Sequence, residues 1–383
     1  MAKKKIISFI DWYLPGFKAG GGQRAFSIMV SYLRDEFDFY IITRNTDFME
    51  TVPYEGIESN KWVKRAEGEN VWYCPEDTIS YKLFNKLLSE VNADYAYVNG
   101  VYSWRFSILP LILMKRSGFK GRVVVGTYGM LASTAINIKK SKKKLFLTLA
   151  KLTGLYNKVR FHATSENEAK DIKRIFGEKS DVVLAPHLPV KDLPAVKRIK
   201  KEPGDLKLVS LARISPEKNT LFALECLSEI GSFDGNIRFD LYGPIYDKEY
   251  WNECLKVIKQ LPANIEVNYN GILDGNKVFD VLGGYHFLFM PTRGENFGYS
   301  ILESFMAGRP VLISDRTPWR DLEAKRCGHD LSLEKGKGLF IDALLECLRM
   351  DQKIFEELSL NSRDESTNYL QNKEMVDNNK SLF

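Results

Sequence analysis

Short apolar runs alternate with longer segments of helical periodicity along the first half of the chain. Residues 5–11 read as a buried strand, and a Gly/Pro-rich loop separates them from a helix predicted from about Gln23 to Arg34. Further strands are predicted at 39–43, 95–98, 122–126, 161–164 and 181–186. Ser165 and Glu168 have the spacing of a capping box at the start of the helix after residue 164. Strands separated by helices in this way predict a doubly wound parallel sheet.

The alternation stops at residues 191–205, where charge and proline predict a linker, and then begins again. Strands are predicted after the linker at 206–211, 238–243, 265–269, 286–291 and 310–314. We therefore predict α/β domains at 1–190 and 206–365, and a final helix in 366–383 that returns to the first domain. Open α/β sheets bind ligands beyond the carboxyl ends of their strands, so a cleft between the domains is the expected site.

The composition is typical of a globular protein, with 44% hydrophobic and 27% charged residues. The longest apolar run in the first half is much shorter than the ~20 residues of a membrane span. The basic N-terminus leads straight into a strand and lacks the features of a signal peptide. Five scattered cysteines without a CxxC pair predict reduced thiols, and neither disulfides nor a zinc site. We expect a cytoplasmic protein.

Charge is distributed unevenly along the chain. Residues 1–200 carry 33 basic and 20 acidic side chains, and no acidic residue lies between Asp94 and Glu166. A solvated face explains most such patterns. Here, however, an apolar helical run at 145–155 follows a basic cluster, which consists of Lys139, Lys140, Lys142, Lys143 and Lys144. This combination predicts peripheral contact with an anionic membrane. Nucleic acid is not an expected partner.

The strongest chemical signal is a strand that ends at Pro291 and passes through a glycine-containing loop into a helix beginning near Tyr299 or Ser300. Backbone amides at a helix start attract anions, and the helix dipole adds to this attraction, so the turn suits a diphosphate. Glu295 and Glu303 lie eight residues apart across the turn. Their carboxylates could accept hydrogen bonds from hydroxyls at the two ends of a nucleotide sugar. The alternative for Glu303 is an exposed polar helix face.

This E-x7-E spacing, together with the Ala-Gly-Arg-Pro-Val-Leu-Ile-Ser-Asp stretch that follows, resembles the signature of glycosyltransferase family 4, a family of retaining enzymes. The resemblance implies a GT-B architecture, in which two Rossmann-like doubly wound parallel-sheet domains face each other across a cleft. It also implies that the C-terminal domain binds the nucleotide sugar. Glu295 would bind the donor sugar and Glu303 the ribose. Backbone amides would complete the donor site, from Asn296, Phe297 and Gly298 at the sugar and from Tyr299 and Ser300 at the diphosphate.

Arg213 and Lys218 lie five residues apart on the loop after the first strand of the second domain. Both cations can reach one diphosphate and neutralise the charge that develops on the leaving nucleotide. They are similar to an Arg and Lys pair of the family, and with Glu295 they form the predicted catalytic set. Alone, they would be read as solvated loop cations.

The first domain offers weaker candidates. Gly21 and Gly22 belong to a run of three glycines before a helix, where backbone can approach a ligand closely. The GxGxxG fingerprint is missing, which argues against a nicotinamide or flavin enzyme. Tyr128 stands where many family members have a basic residue, and we predict that it contacts the donor. Asn99 and His187 are further candidates for the cleft.

The resemblance implies a hexosyltransferase that uses a nucleoside-diphosphate sugar, with a UDP-sugar preferred over a GDP-sugar. The acceptor would be a saccharide or lipid-linked saccharide, as in bacterial capsule or O-antigen biosynthesis at the inner face of the membrane. No cofactor and no metal are expected, because cations and helix amides would stabilise the leaving group. The alternatives are a sugar-nucleotide epimerase, a phosphorylase or another GT-B enzyme, and a non-catalytic binder of carbohydrate or nucleic acid.

Overall fold

The structure is a computed structural model that describes residues 2–132, 136, 140–191 and 193–383. It divides into two compact units. The first comprises Met1–Leu188 and Lys373–Phe383, and the second comprises Pro189–Asn372. Each unit is Rossmann-like and is built on a mainly parallel sheet, which confirms the predicted fold class. Within the described ranges, every helix is too short or too polar to cross a bilayer.

The first unit contains an eight-stranded sheet in the order β3-β4-β2-β1-β5-β6-β7-β8. Its strands are β1 (Lys4–Phe9), β2 (Phe37–Arg44), β3 (Trp62–Ala66), β4 (Glu69–Cys74), β5 (Tyr95–Asn99), β6 (Arg122–Gly126), β7 (Arg160–Ala163) and β8 (Asp181–Leu184). The pairings are parallel apart from the antiparallel hairpin β3–β4. The sequence predicted neither strand of this hairpin. Strand β3 is a half-exposed edge strand with adjacent Lys64 and Arg65, and β4, although buried, was also missed.

Helices follow most strands of this unit. They are α1 (Gly21–Leu33), α2 (Tyr81–Val91), α3 (Leu109–Ser117), α4 (Lys140–Leu152) and α5 (Glu166–Phe176). Phe9, Val98, Val125 and Phe161 contribute the strand side of a continuous core, and Leu87 belongs to its helical side. A one-turn π-helix at Trp104–Ile108 leads into α3.

The second unit contains a six-stranded parallel sheet in the order β11-β10-β9-β12-β13-β14. Its strands are β9 (Asp205–Leu211), β10 (Asn236–Tyr242), β11 (Ile265–Tyr269), β12 (Phe287–Met290), β13 (Val311–Ser314) and β14 (Gly328–Leu331). Its helices are α6 (Thr220–Ser228), α7 (Lys248–Ile258), α8 (Val278–Leu282), α9 (Tyr299–Met306), α10 (Lys337–Arg349) and α11 (Gln352–Leu370). The strand order reverses between β9 and β12, so a crevice is expected beyond their carboxyl ends.

The chain ends in α12 (Glu374–Lys380), which belongs to the first unit. Asn379 donates its side-chain amide to the carbonyl of Pro186 at 2.9 Å. The carbonyl oxygen of Phe383 accepts from Arg122 at 2.9 Å, and the Phe383 ring packs against Tyr95 with a centroid distance of 5.7 Å. These contacts attach the end of the chain to the first sheet.

Candidate functional site

The loops after β9 and β12 are joined to each other at the point where the strand order reverses. The backbone carbonyl of Glu217 accepts from the backbone amide of Arg293 at 2.8 Å and from the hydroxyl of Thr292 at 3.0 Å. Asn219 donates to the carbonyl of Pro291 at 3.0 Å and accepts from the guanidinium of Arg293 at 3.1 Å. The two loops therefore form a single rigid junction, although they are far apart in sequence.

Lys218 and Glu295 form an ion pair at this junction. Their side chains are only 15% and 12% exposed, so solvent screens the pair weakly. The backbone amide of Glu295 donates to the carbonyl of Arg316 at 3.0 Å, which anchors the loop from its other side. Two of the three predicted catalytic residues are thus in direct contact.

Arg213, the third predicted catalytic residue, lies earlier on the loop that carries Lys218. Its guanidinium carbon lies 5.1 Å from the centroid of the Tyr246 ring, a cation–π contact. Tyr246 belongs to the loop after β10 and is 49% exposed. Arg213 itself is half-buried.

Helix α9 begins at Tyr299, in the region that the sequence predicted. Its N-cap is Gly298, with φ of 84°, in the left-handed region that favours glycine. Gly298 has no side chain that could cap the first-turn amides of the helix. Ser300 and Tyr299 form this first turn, so the amides predicted to face a diphosphate lie at a helix start suited to an anion.

Glu303 lies in the middle of α9 and is only 4% exposed. The alternative of an exposed polar helix face is therefore wrong. Burial of a carboxylate is costly unless hydrogen bonds or opposite charge compensate for it. A buried acid about one turn into the helix is consistent with a ligand-binding role and is not explained by surface solvation.

An aromatic cluster supports the loop that carries Asn296 and Phe297. The Phe297 ring lies 4.9 Å from Tyr299, 5.5 Å from Trp319 and 5.4 Å from Tyr369, measured between ring centroids. The indole of Trp319 donates to the carbonyl of Phe297 at 2.6 Å. Sequence reasoning gave Trp319 no role, because nothing in the local pattern shows that it contacts a loop more than twenty residues earlier.

Gly21 and Gly22 lie in the first unit, at the start of α1. The preceding residue, Gly20, has φ of 89° and requires glycine. A Cβ atom added at Gly21 or Gly22 would meet no other atom within 4 Å. A ligand could therefore approach the backbone closely at this helix start. That Gly21 and Gly22 bind the donor stays a prediction.

Tyr128 also lies in the first unit and begins a chain of buried hydrogen bonds. Its hydroxyl lies 2.7 Å from that of Tyr97, which lies 2.7 Å from Nδ1 of His162. Nε2 of His162 lies 2.8 Å from the carbonyl of Ala185 and must donate to it. Burial lowers the pKa of His162, so the ring is neutral and Nδ1 accepts from Tyr97. The hydroxyl oxygen of Tyr97 in turn accepts from the hydroxyl of Tyr128. Tyr128 therefore already donates its proton within the protein.

Glu168 holds the Tyr128 loop in place, a role that the sequence did not reveal. One carboxylate oxygen accepts from the Thr127 hydroxyl at 2.6 Å and from the backbone amide of Gly129. The other accepts from the amide and the hydroxyl of Thr164 at 2.7 and 2.6 Å. Ser165 caps the amide of Glu168 at 3.2 Å as predicted. The reciprocal half of the capping box is wrong, because the Glu168 side chain turns inward to Thr164.

The predicted basic cluster is described only in part. Lys139 lies outside the described residues, and so does the side chain of Lys140, the first residue of α4. Lys142 and Lys144 are exposed on α4, and the ammonium of Lys143 lies 5.1 Å from the centroid of the Tyr102 ring. In the part of the chain that is described, no group of three or more His, Cys, Asp or Glu side chains is placed to hold a metal ion. Metal independence stays a prediction.

Comparison with known families identifies the region that contains the junction. Residues 193–326 match the model of the family described as glycosyl transferases group 1. This range includes Arg213, Lys218, Glu295 and Glu303 and most of the second unit. No curated protein matches the chain.

Solved structures resemble this one over nearly the entire chain. Sucrose-phosphate synthase from Thermosynechococcus elongatus is 12% identical with a TM-score of 0.73, covering 99% of this chain and 98% of that one. HepE from Anabaena, in complex with UDP and glucose, is also 12% identical, with a TM-score of 0.68 and the same coverage. The chain has the GT-B fold. WaaG, a glycosyltransferase involved in lipopolysaccharide biosynthesis, is 14% identical with a TM-score of 0.63, covering 98% of each chain. The family match and the fold together support a glycosyltransferase.

Proposed function

We propose that this chain is a retaining glycosyltransferase that transfers a sugar from a nucleoside-diphosphate donor to a saccharide or lipid-linked saccharide. A UDP-sugar is the preferred donor, and a GDP-sugar is the second choice. The match to group 1 glycosyl transferases covers both loops of the junction. HepE, which has the same fold, was solved with UDP and glucose bound, and this supports uridine as the base.

The observation that carries the proposal is the Lys218–Glu295 pair beside the helix start at Gly298. In the free protein each of these charges balances the other. A diphosphate at the start of α9 would compete for Lys218, and Glu295 would then accept hydrogen bonds from the donor sugar. Donor binding therefore exchanges one ion pair for another, so Lys218 need not stay buried without a partner.

The reaction breaks the bond between the anomeric carbon and the diphosphate oxygen, and the bonding electrons leave with the diphosphate. Arg213, Lys218 and the amides of Tyr299 and Ser300 would stabilise this negative charge. The acceptor hydroxyl attacks from the side that the diphosphate leaves, so the anomeric configuration is retained. Its proton passes to the leaving phosphate, and for this reason we assign no general base and no metal.

The remaining predicted contacts complete the proposal. Glu303 binds the ribose, the amides of Asn296, Phe297 and Gly298 assist Glu295, and Gly21, Gly22 and Tyr128 contribute from the first unit. The product would be a bacterial polysaccharide of capsule or O-antigen type, made at the cytoplasmic face of the membrane. WaaG, a glycosyltransferase with the same fold, takes part in lipopolysaccharide biosynthesis, and this supports the pathway class.

The test is an assay of nucleoside diphosphate release from a panel of UDP-, GDP-, ADP- and TDP-sugars, with a bacterial lipid extract as the source of acceptor. Arg213→Met and Glu295→Gln should each lower turnover by roughly 10²-fold or more, because each removes a group that acts on the reacting donor. Arg349→Met and Glu346→Gln are matched controls, since both residues are exposed on α10. NMR of the product should show the anomeric configuration of the donor.

Two results would overturn the proposal. One is conversion or hydrolysis of the nucleotide sugar without any dependence on acceptor, which would favour the epimerase alternative. The other is carbohydrate binding without turnover, unaffected by Arg213→Met and Glu295→Gln, which would favour a non-catalytic binder.

A further inference from the structure

A small cavity opens on one face of the second sheet, beside helix α8. Its volume is about 240 Å³, and its walls include Lys207, Arg238, Tyr242, Val281, Gly284 and Tyr285. Lys207 and Arg238 lie in the amino-terminal halves of β9 and β10, and Tyr285 precedes β12. The junction, in contrast, lies beyond the carboxyl ends of β9 and β12. The cavity is therefore distinct from the candidate donor site.

The carboxylate of Asp240 orients the polar groups of this cavity. Its side chain is fully buried, and it accepts from Nε and Nη2 of Arg238 at 3.1 and 2.7 Å. It also accepts from the hydroxyl of Tyr285 and from the side-chain amide of Asn268, the latter at 3.1 Å. The guanidinium and the phenol are thus held in one orientation before any ligand binds, which lowers the entropic cost of binding.

Two cations line the cavity and keep hydrogen-bonding capacity for a ligand. Lys207 and Arg238 are partners in the register of β9 and β10, so their side chains lie side by side on one face of the sheet. Nη1 of Arg238 makes no hydrogen bond to any residue that the structure describes. Neither does the ammonium of Lys207, which contacts the carboxylate of Asp205 at 3.5 Å. Neighbouring like charges repel, and an anion bound between them would remove this repulsion.

We propose that this cavity binds a phosphomonoester of a small sugar or polyol. Lys207 and Nη1 of Arg238 bind the phosphate, which carries roughly two negative charges near neutral pH. Val281 and the ring of Tyr242 contact the carbon skeleton, and the Tyr242 hydroxyl is available to the hydroxyls of the ligand. The volume of about 240 Å³ is below the roughly 300–1,000 Å³ of sites for drug-sized ligands, so the ligand is small. This site does not depend on the proposed transfer reaction.

The experiment is isothermal titration of glucose 6-phosphate into the full chain with UDP present in excess. The UDP blocks the proposed donor site, so that the sugar phosphate cannot bind there instead. We expect a dissociation constant below about 1 mM for glucose 6-phosphate. Inorganic phosphate should bind about tenfold or more weakly, because it lacks the contacts of the carbon skeleton, and glucose should not bind measurably, because it lacks the charge.

Three variants locate the binding. Lys207→Met should weaken the binding of glucose 6-phosphate by about tenfold or more, and it leaves every partner of Asp240 in place. Arg238→Lys keeps a positive charge beside the buried carboxylate but loses the paired N–H groups, so it should weaken binding about fivefold. Lys256→Met, which changes an exposed lysine of α7, is the control and should bind like the wild type. UDP should bind all three variants equally, so a failure of this site is distinguishable from a failure of the proposed function.

Any of three results would overturn the inference. The first is a wild type that does not bind glucose 6-phosphate in the presence of UDP. The second is Lys207→Met binding as tightly as the wild type, which would place the sugar phosphate elsewhere on the molecule. The third is inorganic phosphate binding as tightly as glucose 6-phosphate, which would show that the cavity does not recognise the sugar.

Discussion

At the scale of single residues, a few side chains join segments that lie far apart in sequence and thereby shape the candidate site. Lys218 and Glu295 connect two loops of the second unit, and Glu168 connects the ends of β6 and β7 in the first. Each acts through charge-assisted hydrogen bonds, which are roughly twice as strong as neutral ones. Substitution of one such residue should therefore affect a loop that it does not belong to.

Glu168→Gln should lower the free energy of unfolding by about 1–3 kcal/mol. Its two oxygens face the fixed backbone amides of Gly129 and Thr164, which can only donate. A glutamine must turn its own NH₂ group toward one of them, so one amide would lose its acceptor. Urea unfolding measures the loss. The control is Glu166→Gln, which changes an exposed residue in the same helical turn and should leave stability unaltered.

Gly298→Ala should destabilise the second unit by about 1–2 kcal/mol, since φ of 84° is unfavourable for any residue with a Cβ. The new Cβ would also lie 2.8 Å from Cδ1 of Ile301. Because Gly298 is the N-cap of α9, nucleotide binding should weaken together with stability. In Gly294→Ala the added Cβ meets no atom within 4 Å, so stability should stay within about 0.5 kcal/mol of the wild type. Equal losses in the two variants would be incompatible with this account.

At the scale of elements, the sequence located most of the buried strands, although it missed the buried strand β4. Strands such as β9 and β12 and the start of α9 at Tyr299 were located from apolar runs and from glycine. The edge strands β3 and β14 were not predicted, because their residues are largely polar or half-exposed and lack a clear period. The edge strands β8 and β11 were predicted, so position at the edge of a sheet does not by itself explain the misses.

The same limit applies to the site. The local sequence pattern alone was enough to find the spacing of Glu295 and Glu303 and the two cations, Arg213 and Lys218. The Asn219 bridge and the Trp319 support were not, because they depend on contacts between loops that periodicity does not encode. Local sequence therefore supplied the candidate chemical groups, and the fold supplied the partners that hold them.

His286 ties the linker to the second sheet and should make the stability of this unit dependent on pH. Its Nδ1 accepts from the amide of Lys207 at 3.0 Å and its Nε2 donates to the carbonyl of Lys200 at 3.0 Å, so the native ring is neutral. Burial lowers the pKa of His286 to about 4, from an ordinary value of about 6.5. As the pH falls, His286 therefore gains its proton in the unfolded chain before it does so in the folded protein. The contribution of His286 is complete above pH ~6.5 and is lost as the pH falls toward ~4, by up to about 3 kcal/mol.

Urea unfolding of the wild type and of His286→Gln across this pH range isolates the contribution. The variant should be less stable at neutral pH, and its stability should fall less steeply than that of the wild type between pH ~6.5 and ~4. The carboxylates titrate in both proteins, so their effect cancels in the difference. Parallel curves for the two proteins would show that His286 does not remain neutral in the folded state.

At the scale of the whole molecule, two Rossmann-like units divide the candidate groups unequally. The second unit holds the cations, both glutamates and the helix start, whereas the first holds the glycine run and Tyr128. The match to group 1 glycosyl transferases is confined to residues 193–326, and the GT-B fold extends over nearly the entire chain. The proposed donor site therefore lies in the unit that matches the family.

The central claim is that a nucleoside diphosphate binds where β12 passes into α9 and takes Lys218 from Glu295. Isothermal titration of UDP into the wild type, Lys218→Met and Lys337→Met tests this directly. Lys337 is a matched control, because it is also ion-paired in the second unit, with Glu225 and Glu229. We predict that UDP binds the wild type and Lys337→Met equally, and Lys218→Met about tenfold or more weakly. Undiminished binding to Lys218→Met, or no binding to the wild type, would contradict the account.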